Sequence, residues 1–126
     1  MSTASYVTGD PGTDFGNTYY NDHHFHYGYH ILAAAFIAHM DRAWGLQNRD
    51  YVNTLARDYA NPDPRDPYFP PFRNFDWYQG HSWAQGLFAS LDGKNQESSS
   101  EDVMSVYATK MWGTVIGDTQ MVARSV

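Results

Sequence analysis

Cysteine is absent from the sequence, which removes disulfides and thiolate metal ligands and leaves the redox compartment unreadable. Charge is scarce as well: 17% of the residues are Asp, Glu, Lys or Arg, against roughly 25% in an average soluble domain. The charge that exists leans negative, with 14 acidic and 8 basic residues and a formal net charge of −6. Such a chain lacks the basic patches that neutralise phosphate backbones, so nucleic acid is not an expected partner. Long apolar runs are also missing. The longest, residues 31–38, spans eight positions, far short of the ~20 that cross a bilayer, so no membrane partner is expected. Residues 1–10 carry neither a basic n-region nor an apolar h-region, and no signal peptide is read in this chain.

Aromatic residues are plentiful. Ten Tyr, seven Phe and four Trp among 126 residues supply flat amphipathic faces that either build a core or stack on a ligand. The length fits one domain. Residues 1–22 are dense in turn formers (Gly9, Asp10, Pro11, Gly12, Gly16, Asn17) and read as loop. Helical spacing begins after Asp22, with apolar residues at 31, 32, 35, 36, 40 and 43 and Gly45 as the expected stop. A second helix is expected over Tyr51, Val52, Leu55, Ala56 and Tyr59, ending before Pro62. Five prolines in residues 61–71 predict an irregular connection, of the length that often carries function.

A third helix is predicted over about 82–91 from Trp83, Leu87, Phe88 and Leu91, closed by Asp92 and Gly93. A fourth follows over about 99–112, with Val103, Met104, Tyr107, Ala108, Met111 and Trp112 in phase. Asp118 or Thr119 reads as the cap of a fifth. No alternating strand is convincing, so the expected class is all-α, with a bundle and a piece of an (α/α) toroid both open.

Three polar clusters sit between these helices. The first, residues 20–30, holds Asp22, four histidines and three tyrosines. On a helix starting near Asp22, the residues Asp22, His26, Tyr29 and His30 share one face. Asp22 reads equally as an N-cap accepting backbone N–H groups. The i, i+4 pair His26 and His30, with Asp22, also has the spacing of a helical metal site, although Tyr27 stands where a metalloprotease needs glutamate. The second cluster, residues 75–83, surrounds Asp76 and His81 with Trp77, Tyr78 and Trp83. It reads either as core at a helix start or as a platform on which indole rings stack against the C–H faces of a sugar. The third, residues 92–102, runs into the fourth helix. There Ser98 and Glu101 form a capping-box pair, whereas Glu97 lies outside it; burial beside other acids would raise its proton affinity.

In this order the clusters resemble glycoside hydrolase family 81. The resemblance is carried by Asn21-Asp22-His23-His24-Phe25-His26-Tyr27-Gly28-Tyr29, by Asp76-Trp77 with Gly80-His81-Ser82-Trp83, and by Asp92-Gly93-Lys94-Asn95-Gln96-Glu97-Ser98-Ser99-Ser100-Glu101. It extends through Arg57-Asp58-Tyr59-Ala60-Asn61-Pro62 to Met111-Trp112-Gly113, and its wording is closest to fungal members.

The resemblance implies an inverting endo-β-1,3-glucanase acting on laminarin, curdlan or fungal cell-wall glucan, extracellular or in the cell wall, without metal or organic cofactor. It implies that residues 1–126 are part of a catalytic (α/α)6 barrel that normally packs against a β-sandwich and a linking region, and that an isolated fragment is poorly active. Carried over by position, Asp22 is the general acid, Glu97 the general base and Glu101 a second acid near the water site. Sugar contacts fall on His26, Tyr27, Asp76, His81 and Trp83. Two other readings remain, a non-catalytic carbohydrate-binding fragment and a metal-dependent hydrolase on Asp22, His26 and His30.

Overall fold

The computed structural model describes residues 11–86, 90–91 and 93–125. Two short 3-10 turns, Pro11–Asp14 and Asn17–Tyr19, precede helix α1, His23–Met40. Its core stripe is Ile31, Ala34, Ala35 and Ala38, the i, i+3, i+4, i+7 spacing of one helix face. The small residues on that stripe let neighbouring helices approach closely.

The expected stop at Gly45 moves. Asp41 ends α1 and starts α2, Arg42–Gln47, in one step: its backbone is extended, its N–H donates to the Ile37 carbonyl at 2.7 Å, and its carboxylate accepts the Trp44 N–H at 3.0 Å. A carboxylate satisfying an orphan donor of the first turn is a sufficient start signal. Gly45 lies inside α2 instead, where a Cβ would sit 2.6 Å from the Ala38 Cβ; glycine is there for close approach, not for termination.

Helix α3, Arg49–Ala60, buries Val52, Ala56 and Tyr59 and ends, as expected, before Pro62. Residues 61–74 form the predicted irregular connection. The side-chain amide of buried Asn61 donates to the Asp63 and Phe69 carbonyls, and the Asn61 backbone carbonyl accepts the Phe72 N–H at 3.0 Å.

A minimal antiparallel hairpin follows, β1 (Phe75–Asp76) with β2 (His81–Ser82), in register Phe75 to Ser82 and Asp76 to His81. The third predicted helix is therefore corrected over its described part. Ser82 is in a strand, Trp83 N–H donates to the Asn74 carbonyl at 2.7 Å, and Ala84 N–H donates to the Asn95 carbonyl at 2.8 Å. Those distant acceptors take the donors that a helix would have used, and Leu91, expected on the buried face, is fully exposed. Leu87, Phe88 and Asp92, like the loop read over residues 1–10, lie outside the described residues.

Helix α4, Ser99–Ile116, extends one turn beyond the predicted end and stops at Gly117, whose φ of 80° suits a residue without Cβ. Helix α5, Thr119–Arg124, is capped by Asp118, which accepts the Met121 N–H at 2.9 Å. The all-α class holds, with the hairpin and an isolated antiparallel bridge between Ser90 and Gly93 as the β features among the described residues.

The core lies where α1 crosses α4. Ile31, Ala35, Ala108 and fully buried Trp112 meet there, joined by Val52, Ala56 and Tyr59 of α3. The polar ends of this core are satisfied. Trp112 Nε1 donates to Asn53 Oδ1 at 2.8 Å, and the Tyr59 hydroxyl pairs with Thr109 Oγ1 at 2.8 Å.

The crossing is tight enough that a Cβ on Gly28 would lie 2.9 Å from the Ser105 Cα. Gly28→Ala would gain roughly 0.5–1 kcal/mol of helix propensity but lose about 1–3 kcal/mol to overpacking against backbone that cannot rotate away. The expected net effect is a lower urea-denaturation midpoint; an unchanged or higher one would show that the two helices can part without cost.

Candidate functional site

Asp22 occupies the position before α1 in a left-handed conformation, φ 56°. That region is uncommon for a residue with a Cβ and is retained where the surroundings fix it. Two backbone bonds do so: Asp22 N–H donates to the Ala84 carbonyl at 2.8 Å, and its own carbonyl accepts the His26 N–H at 2.9 Å. The carboxyl, however, makes no side-chain cap bond, so the N-cap reading fails at the side chain. One oxygen, Oδ1, is buried without a hydrogen-bond partner.

Burial, reinforced by the charges of Glu97 and then Glu101 and opposed by His23, pushes the Asp22 carboxyl up to about 6. An acid held protonated to that pH is what general-acid chemistry requires.

The two histidines that follow this position are braces. His23 Nδ1 is 2.5 Å from Asp58 Oδ2, and its Nε2 faces the Asn17 carbonyl at 2.8 Å. Both ring nitrogens thus face oxygen atoms of other segments, which fixes the orientation of the ring. Arg73 reaches the same Asp58 oxygen at 2.7 Å. Burial alone would raise the Asp58 carboxyl, but the hydrogen bonds and charges of His23 and Arg73 outweigh it and hold it below the usual carboxylate range. His24 Nε2 lies 3.0 Å from Asp102 Oδ1, an ion-pair distance outside hydrogen-bond angles. Asp102 also accepts from Ser82 Oγ at 2.5 Å and from Gln96 Nε2 at 2.7 Å. These contacts outweigh its burial and keep its carboxyl low.

Glu97 stands in the loop before α4. It is exposed, not buried beside other acids as the sequence reading allowed. Its backbone is the unusual part: φ is 66°, and Ser98 N–H donates back to the Gln96 carbonyl at 2.9 Å. This is a γ-turn centred on Glu97 in the rare, strained positive-φ form.

The capping box is half made. Ser98 Oγ accepts the Glu101 N–H at 3.3 Å, but Ser98 N–H is committed to Gln96, and the Glu101 carboxylate takes the Tyr29 hydroxyl. That hydrogen bond, with the Glu101 charge, raises the Tyr29 hydroxyl pKa. Glu101 is thereby turned toward α1 and Asp22.

The other expected sugar contacts divide. His26, half-buried, points Nδ1 at Asn17 Oδ1 at 2.9 Å, and burial followed by His23 lowers its pKa. Tyr27 lies tilted against the His23 ring, centroids 4.5 Å apart, and packs against the core. Asp76 is engaged in the hairpin: Oδ1 accepts the Tyr78 and Gln79 N–H groups at 2.9 and 3.0 Å, and Oδ2 accepts Trp83 Nε1 at 3.1 Å. Gln79 and Trp83 lead the causes that lower its carboxyl. His81, buried, directs Nδ1 at the Ser82 carbonyl at 2.7 Å and lies 4.9 Å from the half-buried Trp83 ring. Trp77, with a relative exposure of 71%, and Tyr78 at 93% leave open faces on the same hairpin.

Among the described residues, no three His, Asp or Glu side chains converge to hold a metal; His30 Nδ1 instead pairs with the His26 carbonyl at 2.7 Å. A cavity of about 60 Å³ lies elsewhere, between Ala56, Ala60, Pro62, Phe72 and Met121, and contains none of these carboxylates.

Asp58, Arg73 and Asn17 were not expected at the site, and Asp102 entered only as the last residue of the third cluster. Each acts through partners distant in sequence or hidden in a turn. The adjacency of Asp102 to Glu101 was the nearest signal.

A mostly helical frame thus carries its acids on connecting segments and at helix starts. The family model described as Glycosyl hydrolase family 81 C-terminal domain matches residues 1–126. A glucan endo-1,3-beta-D-glucosidase of Arthroderma benhamiae is 59% identical over 98% of this chain and 14% of its own length. A primary septum glucan endo-1,3-beta-D-glucosidase of Schizosaccharomyces pombe is 54% identical over 94% of this chain and 12% of its own. A solved mutant of a family 81 glycoside hydrolase from Clostridium thermocellum superimposes with a TM-score of 0.76 at 45% identity, covering 83% of this chain and 15% of that one. The chain belongs to glycoside hydrolase family 81.

The raised Asp22 carboxyl has a stability consequence. Its native value, about 6, lies above the unfolded 3.8, so its favourable contribution is complete below about pH 4 and is lost as pH rises through 6. Asp22→Asn, which cannot ionise, should therefore be more stable than the parent at pH 7 and equal to it near pH 3.5. Thermal denaturation at the two pH values checks this, and a gap of the same size at both would count against it.

Proposed function

We propose that the protein carrying this chain hydrolyses internal β-1,3-glucosidic bonds of glucans with inversion, and that residues 1–126 form the part of its catalytic (α/α)6 barrel that holds the reacting carboxyls. One observation carries the reading. Asp22 is a buried carboxyl with an unpartnered oxygen, raised to about 6 by burial and by two glutamates from the start of α4.

Asp22 donates its proton to the glycosidic oxygen as the bond from that oxygen to C1 breaks. A water attacks C1 from the opposite face and gives its proton to Glu97, leaving an α-configured hemiacetal. Glu101, fixed by Tyr29, keeps negative charge beside the water and supports the raised Asp22 carboxyl. His26, His81 and Trp83 contact sugar, with Tyr27 and Asp76 as their supports. No cofactor enters these steps.

The relatives' names supply the β-1,3-glucan substrate and favour an extracellular or cell-wall setting. The barrel reading is supported by helix faces left apolar on the outside: Phe36, Ile37 and Met40 of α1 and Val103, Val106 and Tyr107 of α4 are exposed. Apolar helix surface of this extent belongs against neighbouring helices. No helix among the described residues is long and apolar enough to cross a membrane.

In the complete enzyme, kcat/KM on laminarin should fall as pH rises through about 6, because Asp22 must be protonated. Glu97→Gln should lower kcat by ~10²–10⁴-fold with the circular dichroism spectrum unchanged. Glu101→Gln should lose less, since a side-chain amide still accepts the Tyr29 hydroxyl. A Glu97→Gln enzyme with near-normal kcat would remove the base from this scheme. Proton NMR of early products should show the α-anomer first; the β-anomer would mean a nucleophile and retention.

A further inference from the structure

The acid and the base stand on separate segments, and the distance between them decides whether a water fits. One half-buried carboxylate ties those segments together. Asp102 is in the first turn of α4, and its two oxygens receive groups from three other places. His24, two residues beyond Asp22, lies 3.0 Å from Oδ1. Ser82 Oγ, at the end of β2, donates to the same oxygen at 2.5 Å. Gln96, immediately before Glu97, donates Nε2 to Oδ2 at 2.7 Å.

A second, backbone connection runs in parallel through the residue two beyond Ser82. Ala84 accepts the Asp22 N–H and donates to the Asn95 carbonyl, both at 2.8 Å. Ser82, fully buried and bonded to Asp102, stands two residues before Ala84, so both connections run through one short segment. Asp22 and Glu97 are both held at positive φ, a conformation that relaxes unless neighbouring bonds enforce it.

We propose that Asp102 is the positioning residue that sets the separation of the acid and the base: it holds Gln96, and so the turn on Glu97, at a fixed place relative to the His24 and Ala84 side of the site. The inference rests on reading Asp22 as acid and Glu97 as base. Asp102 touches neither substrate nor water in this role. Its loss should slow the chemical step without weakening glucan binding.

The test uses the complete enzyme with laminarin and separates kcat from KM. Gln96→Ala, which cuts the link to the Glu97 turn from a half-buried loop, should lower kcat about tenfold with KM within about twofold. Asp102→Ala should lower it about 100-fold, the scale on which ~1 Å misplacements act. The Gln96→Ala, Asp102→Ala double variant should be no slower than Asp102→Ala alone. Asp102→Asn should recover most of kcat, because its amide oxygen still accepts from Ser82 and a rotated Gln96 amide can accept from its nitrogen.

Wild-type kcat in folded Asp102→Ala, or losses confined to KM, would overturn the positioning role. Should Asp102→Ala fail to fold, Gln96→Ala decides: a tenfold loss in kcat supports the role and an unchanged kcat overturns it. Asp22→Asn and Glu97→Gln are measured alongside. Normal turnover in those two would overturn the acid and base assignment itself, whereas losses there with normal Gln96→Ala would overturn only the role of Asp102.

Discussion

The contact between Gly28 and Ser105 is where the site begins. It falls about one and a half turns into α1 and into α4, so the two helices meet near their N-termini and both starts open on the same side. Asp22 precedes one start; Glu97 and Glu101 flank the other. A Cβ on Gly28 would press on the Ser105 backbone, and separating the helices there would carry the acids apart. The core further along, around Ile31, Ala108 and Trp112, fixes the crossing, but the approach at Gly28 lets carboxyls from two helix starts influence one another.

That influence works against stability. Helix N-termini favour negative charge, and His23 adds a compensating group beside Asp22. Burial and the two glutamates nonetheless dominate at Asp22 and raise its carboxyl, whereas the equally buried Asp58 and the half-buried Asp102 stay low because each has its own donors. Three carboxylates close together in one fold therefore behave differently for a local reason. Two are satisfied and serve as braces, and one is left with an unpartnered oxygen. An acid kept in that condition, on a backbone held at positive φ, is the sort of local conflict that folds retain at functional sites.

The hairpin shows how the aromatic cluster is divided between support and surface. Asp76 spends both carboxylate oxygens on its own turn and on the Trp83 indole, which fixes the indole orientation. Trp77 packs edge-on against Phe72 and Phe75, with ring centroids 5.4 and 4.8 Å away, and still keeps most of its surface open. Rings held by polar anchors and aromatic neighbours lose little freedom on meeting a ligand, which suits them to stacking on sugar faces.

Much of this was legible in the sequence. Apolar spacing located α3 and α4 to within a turn, Asp118 announced α5, the prolines marked the irregular connection, and the three polar clusters marked the segments on which the site is built. These are local signals, set by helix period and by the backbone preferences of Pro, Gly and capping residues. Over its described part the third predicted helix failed because Trp83 and Ala84 give their donors to Asn74 and Asn95, partners that no period encodes. Gly45 misled for a related reason, since close approach to Ala38 and helix termination call for the same residue.

The sequence by itself thus determined the helical class, the family and the places where the acids lie. Only the tertiary structure decided which of those acids is buried without a partner, that Glu101 turns to Tyr29 instead of completing its cap, and that Asp58 and Asp102 are braces, because each depends on how far apart groups from distant segments come to rest.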